Sequence, residues 1–291
     1  MTGHTFSGLW YINGDFASQM SGIIFPRLQA GKEPFPSYLR AQSSSSLLAS
    51  PEDEFGDQTE DRYLLRQFQK AGGGKVAVIP IEGSMSRNGY CNIGNEQLAR
   101  IIALAKNEPS IHAAVLRPYS PGGTVDSTRM LAESIIDFQK AKPMISQTPF
   151  CCSAAYYVAS QTQEFWLEDQ TETRIGSIGV LAVYLDESKA LEKEGLNVQI
   201  IRADGSEQKN RVNGIEPLTP ELISTMKAEM TEARNEFVGF VRRGRAGKIT
   251  SDEAFNGAVF KNKKSLELGL ADRVGSLSQA ITRALQLAKN A

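Results

Sequence analysis

The chain has 291 residues, 41% hydrophobic and 22% charged, which suits a globular protein with one large domain and an appendage. Its 32 Lys and Arg against 33 Asp and Glu leave a net charge of −1, so there is no basic excess to hold nucleic acid or an anionic membrane. Apolar runs such as 76–81 fall far short of the roughly 20 residues needed to cross a bilayer, and residues 1–16 lack the basic and continuous apolar stretches of a secretory signal. Cys91, Cys151 and Cys152 form neither a disulfide framework nor a CxxC metal pair. A cytoplasmic, reducing location is expected, with no membrane anchor, no metal and no cofactor.

Only two histidines are present, His4 near the start and His112 in an apolar stretch that reads as a buried strand. Chemistry in this chain is therefore not expected to run on histidine.

Residues 1–74 read as an N-terminal low-complexity, partly ordered extension. Pro26, Pro34, Pro36, the serines at 43–46 and the acidic residues at 52–54 interrupt any period. A short helix is predicted over 61–69, followed by a flexible break at 71–74. Regular patterning starts at 75. Strand 76–81 leads to helix 95–106, with Leu98, Ile101, Ile102 and Ala105 on one face. Strand 111–116 precedes helix 126–140, whose Leu131, Ile135 and Phe138 share a face. Then come strand 143–147, helix 153–160 and strand 164–167. Strands 177–184 and 198–202 flank a helix at 187–194. A long amphipathic helix over 220–243 sets Leu222, Met226, Met230, Phe237 and Val241 in register, with Phe237 and Phe240 on different faces. Repeated strand–helix alternation requires crossover connections. The predicted class is α/β, a mostly parallel sheet with flanking helices.

Three stretches break the local rules of strand and helix. In Ser120-Pro121-Gly122-Gly123-Thr124 two glycines can bare adjacent backbone N–H groups to a developing oxyanion, or simply make a turn before a helix. In Cys151-Cys152-Ser153-Ala154-Ala155 a strand ends and small residues open a helix. Ser153 there is either a nucleophile or an ordinary N-cap, and the cysteines read as small packing residues. The polar loop 203–214 holds Lys209. A serine nucleophile needs a base, and with histidine scarce a lysine is the next candidate. Such a lysine must be neutral near pH 7, about three units below its ordinary value.

In this order the three stretches, with Gly176-Ser177-Ile178-Gly179-Val180 and later Leu218-Thr219-Pro220-Glu221, Ala254-Phe255-Asn256-Gly257 and Gly269-Leu270-Ala271-Asp272, resemble the signal peptide peptidase A family of serine peptidases. That family includes membrane-bound bacterial enzymes and head-maturation proteases of tailed phages. The resemblance covers roughly 75–285 and implies a Ser-Lys peptidase domain over 75–291 with the Clp protease and crotonase type of fold. It implies Ser153 as nucleophile, Gly122 and Gly123 as backbone oxyanion donors and Lys209 as general base. Extended polypeptide is the implied substrate. A cyclic homo-oligomer, in which a base can come from a neighbouring chain, is the implied assembly. Ala154 and Ala155 stand where the family usually has glycines, and Cys151 and Cys152 where it has alanines. The lack of a preceding membrane helix points toward the soluble phage enzymes, with capsid or scaffold proteins among the implied partners. A catalytically inactive scaffold and a crotonase-like acyl-thioester enzyme are the alternatives.

Overall fold

The computed structural model of the chain describes residues 10–12, 26–27, 30, 58–89 and 92–290. Strand β1 (Trp10–Ile12) and helix α1 (Gln58–Ala71) precede the alternating part. There follow β2 (Val76–Met85), α2 (Asn95–Asn107), β3 (Ala113–Thr124), α3 (Thr128–Gln139), β4 (Met144–Thr148), β5 (Phe150–Cys152), α4 (Ala154–Ala159), β6 (Glu164–Leu167) and β7 (Arg174–Gly176). A long irregular stretch contains only the short α5 (Ser188–Lys193). Last come α6 (Pro220–Gly244), β8 (Val259–Lys261), α7 (Asn262–Glu267), β9 (Arg273–Val274) and α8 (Leu277–Lys289).

Strand β3 is the axis of the sheet. One of its edges is taken along its whole length by parallel β2, from Val76 opposite Ala113 to Met85 opposite Gly123. The other edge is shared in succession: β4 pairs at 114–116, β5 at 119–120, and β1 at 122–124. β4 and β5 run parallel to β3, whereas β1 runs antiparallel. Parallel β6 and β9 extend the sheet beyond β4, parallel β7 extends it beyond β5, and antiparallel β8 covers the outer edge of β7. The chain thus has the predicted α/β class, with a mostly parallel sheet between helices. Along β2, Ala77, Ile79 and Ile81 point into one core with Leu98, Leu131, Phe138 and Tyr157. Val76 and Val78 point into a second core with Val115, Ile145, Ala280 and Ala284 of α8. A strand buried on both faces has no polar face to show, which is why 76–81 reads as one apolar run.

The scaffold under β5 and α4 is tied to the C-terminal part by a buried ion pair. Arg245, just past α6, is 1% exposed and donates Nη1 to Asp272 Oδ2 at 2.7 Å and Nη2 to Oδ1 at 3.0 Å. Asp272 also accepts the Phe165 backbone N–H at 2.7 Å and pairs with Lys248. Burial on its own would raise the Asp272 carboxyl, but the hydrogen bonds and charge of Arg245, with Lys248 and the Phe165 amide, hold it at about 2. Tyr156 Oη donates to Leu270 O at 2.7 Å, locking α4 to the same turn.

Several expectations change. Helix α1 packs into the main core through Leu64, Leu65 and Phe68. Each such side chain is worth roughly 1.5–3 kcal/mol on full burial, enough to dock the helix onto the unit that the sequence begins at 75. The glycines after it are a tight turn, with Gly72 N–H bonded to Phe68 O and Gly74 N–H to Gln69 O. His112 lies before β3 and is exposed. Strand β3 runs on through the Ser-Pro-Gly-Gly motif, because β2 and β1 hold it from both sides. The stretches 177–184 and 198–202 form no strand, since β7 already has β5 on one edge and β8 on the other. Phe237 and Phe240, three residues apart, share a face and pack on Tyr157, with ring centroids 5.1 and 4.6 Å away. His4, Cys91 and most of 1–57 lie outside the described residues.

Candidate active site

Ser153 stands where β5 turns into α4. Its backbone, φ 53° and ψ −120°, lies in a region that non-glycine residues rarely enter, at a cost of order 1–3 kcal/mol. Two bonds hold it there: its N–H donates to Gly176 O of β7 at 2.8 Å, and its C=O accepts Tyr157 N–H at 2.9 Å. Buried Cys151, Cys152, Ala154 and Ala155 surround the turn. Their small volume lets the strand and helix close on one another. The side chain is not a cap, since it accepts no hydrogen bond from α4. Its Oγ is buried and has no hydrogen-bond partner among the described residues. A hydroxyl left so usually costs about 1–3 kcal/mol. A strained backbone presenting an unspent hydroxyl on a strand–turn–helix corner is the geometry of a nucleophile. The neighbouring thiol is no rival. Burial, with Cys152 beside it, pushes Cys151 well above the ordinary thiol range, which keeps it protonated.

The two glycines lie alongside. β5 pairs with β3 as Tyr119 opposite Phe150 and Ser120 opposite Cys151, so the Ser153 corner and the Gly122-Gly123 stretch both follow directly on the last paired residues. Gly122 has φ 102°, open to glycine and strained for other residues. At Gly123 an added Cβ would sit 1.9 Å from Met85 O, so β2 and β3 can approach only because no side chain is there. Ser120, a motif residue without an assigned role in the sequence, shapes this stretch. Its Oγ donates to Gly83 O at 2.6 Å and accepts the Gly122 N–H at 3.1 Å. The motif is therefore a fixed length of extended chain rather than a helix start; α3 begins only at Thr128.

Lys209 is exposed in the irregular stretch before α6. The structure does not bring it to Ser153 within hydrogen-bonding distance, because Ser153 Oγ has no such partner. Its backbone is nevertheless pinned. Arg202 donates to Lys209 O and Asn210 O, and is itself held by both carboxylate oxygens of Glu216 at 2.8 and 2.6 Å. Asn213 Nδ2 also reaches Glu216 at 2.8 Å. Hydrogen bonds from Arg202 and then Asn213 lower the Glu216 carboxyl to about 2. No local signal in the sequence marks this knot, whose partners lie up to 14 residues apart.

The family profile described as "Peptidase family S49" matches residues 137–291, more than half of the chain, and spans both Ser153 and Lys209. The chain belongs to peptidase family S49. Among curated relatives, this S49 chain is 28% identical over 220 residues to Protease 4 of Haemophilus influenzae, covering 73% of itself and 35% of that protein. It is 29% identical over 227 residues to the chloroplastic serine protease SPPA of Arabidopsis thaliana, covering 75% and 32%. It spans about a third of the length of these two relatives. With capsid assembly protease C of Escherichia phage lambda it is 27% identical over 258 residues, covering 84% of this chain and 55% of the phage protein. Solved structures similar to it include ClpP1 of Listeria monocytogenes, with TM-score 0.45, 11% identity, and coverage of 74% of this chain and 99% of that one. A serine-to-alanine mutant of the 1510-N membrane-bound stomatin-specific protease has TM-score 0.44 and 17% identity, covering 71% and 82%. Among the described residues no helix is long and apolar enough to cross a membrane.

Proposed function

We propose that this S49 chain is a serine endopeptidase that cleaves extended polypeptide with Ser153 as nucleophile. The observation that carries the reading is the buried Ser153 hydroxyl, without a partner among the described residues, on a strained backbone corner that follows directly on the β5–β3 pairing. Ser153 Oγ attacks the scissile carbonyl while a base takes its proton. The carbonyl oxygen becomes an oxyanion, which accepts the Gly123 N–H and, once that group leaves Ser120 Oγ, the Gly122 N–H. The same base then protonates the leaving amine, and water hydrolyses the acyl-enzyme.

Lys209 is the base of this proposal, delivered between chains. The exposed Lys209 of a single chain lacks both contact with Ser153 and the burial that a lysine base needs. The stretch that carries it also shows solvent an apolar row, with Leu185, Leu196, Val198 and Val212 all more than 40% exposed and Ile201 89% exposed. Exposed apolar side chains gathered on one irregular segment are what a second copy covers. A cyclic homo-oligomer then buries the row and carries Lys209 to a neighbour's Ser153. Processing of capsid or scaffold protein is the role favoured by the phage relative, the one of these three that covers most of this chain.

A fluorophosphonate probe tests the reading. Wild type becomes labelled and Ser153→Ala does not. Equal labelling of both proteins overturns Ser153 as the nucleophile, and no labelling of wild type after the oligomer is shown to form leaves an inactive scaffold.

A further inference from the structure

Strand β1 joins the sheet at one place only among the described residues, the stretch of β3 beside Ser153. Trp10 lies opposite Thr124, Tyr11 opposite Gly123 and Ile12 opposite Gly122, antiparallel to β3. It takes over that edge just where β5 leaves it for the Ser153 corner. With β1 in place, Gly123 is flanked by Tyr11 of β1 on one side and Met85 of β2 on the other, and Gly122 lies opposite Ile12. The edge that carries the two glycines is thus covered.

We propose that Trp10–Ile12 is an inhibitory strand of this chain, filling on Gly122–Thr124 the place that an extended polypeptide substrate takes, so that the site opens when the strand is displaced. The proposal rests on the serine-peptidase reading above. A peptide added to a sheet edge is held by main-chain hydrogen bonds, which one sequence can make about as well as another, so a segment of the chain itself can stand in for substrate. Three residues bind weakly on their own. Being part of the same chain makes their pairing intramolecular, which favours it over a free peptide of equal length and still lets a longer substrate strand win. Relief on removing the strand is therefore about 3- to 10-fold in rate.

The test uses the full chain with Tyr11→Pro and, separately, Ile12→Pro. Alternate residues of an antiparallel strand aim their N–H at the partner, so one of the two substitutions deletes a ladder donor, and the fixed φ of proline strains both. Fluorophosphonate labelling of Ser153 is expected to run about 3- to 10-fold faster in at least one variant, with melting temperature within a few degrees of wild type. A fluorescein-labelled peptide of residues 5–16 is expected to bind that variant and not wild type, and the unlabelled peptide to slow its labelling. Equal labelling rates in all three chains, with Ser153 labelled in each, overturn the inhibitory strand and leave the peptidase reading standing. If no chain is labelled, the nucleophile reading falls and peptide binding decides alone. Binding to a proline variant but not to wild type upholds β1 as the occupant of the edge, and no binding overturns it.

Discussion

Ser153 and Lys209 sit in two different kinds of structure, and the contrast bears on how such a site is completed. The Ser153 corner is held by β3, β5, β7 and α4, with every neighbour buried and its backbone bonded on both sides. The Lys209 loop pairs with no strand among the described residues, relies on the polar knot of Arg202, Asn213 and Glu216, and is flanked by exposed apolar side chains. A nucleophile needs a fixed, strained geometry, which only a packed core over-determines. A base that arrives with a neighbouring chain needs the opposite, a surface still to be covered.

Substitutions at five positions would break or sharpen this contrast. Lys209→Arg and Lys209→Ala should both lose about 10³-fold or more in peptidase rate, because a guanidinium keeps the charge but cannot accept the serine proton. Mixing Ser153→Ala chains with Lys209→Ala chains should restore part of the activity. No recovery, with mixed oligomers shown by native mass spectrometry, would place both residues in one chain.

Gly123→Ala should damage the fold itself. Its Cβ would meet Met85 O at 1.9 Å with backbone on both sides, so a loss of several kcal/mol is expected in urea unfolding.

Asp272→Asn leaves Arg245 buried opposite a neutral amide and should cost about 3 kcal/mol at pH 7. The native carboxyl is held at about 2, below its unfolded value near 4, so its contribution is present above pH 4. It is lost as pH falls from about 4 to about 2. The gap between wild type and variant should narrow over that window, and a gap constant with pH would count against the pair.

The smallest effect on the single chain belongs to the exposed row. Ile201→Asp should change unfolding by no more than about 0.5 kcal/mol, yet shift the oligomer toward monomer in light scattering. A variant that stays fully assembled would remove this stretch from the interface.

Much of the fold was written in local pattern. Continuous apolar runs placed β2 and β6, and period-3.6 apolar spacing placed α2, α3 and α6, to within a few residues, because the strands are buried on both faces and each helix lays one apolar face on the core. The run of small residues around Ser153 was legible for a similar reason, since a tight strand–helix corner tolerates little else. The positions of Lys209, β1 and β8 were not legible. Each depends on which sheet edge is free, a property of residues far apart in the chain.

The sequence by itself determined the class, the alternation of buried faces and the small-residue corner that isolates one serine, because these follow from the spacing and size of neighbouring side chains. Only the tertiary structure decided that the Ser-Pro-Gly-Gly stretch is strand. Proline and glycine are poor strand formers alone, and here backbone partners from β2 and β1 on either edge hold them extended. It also decided that 177–184 and 198–202 form no strand among the described residues, with β5 and β8 on the two edges of β7. Edge occupancy is non-local, and no window of the sequence contains it.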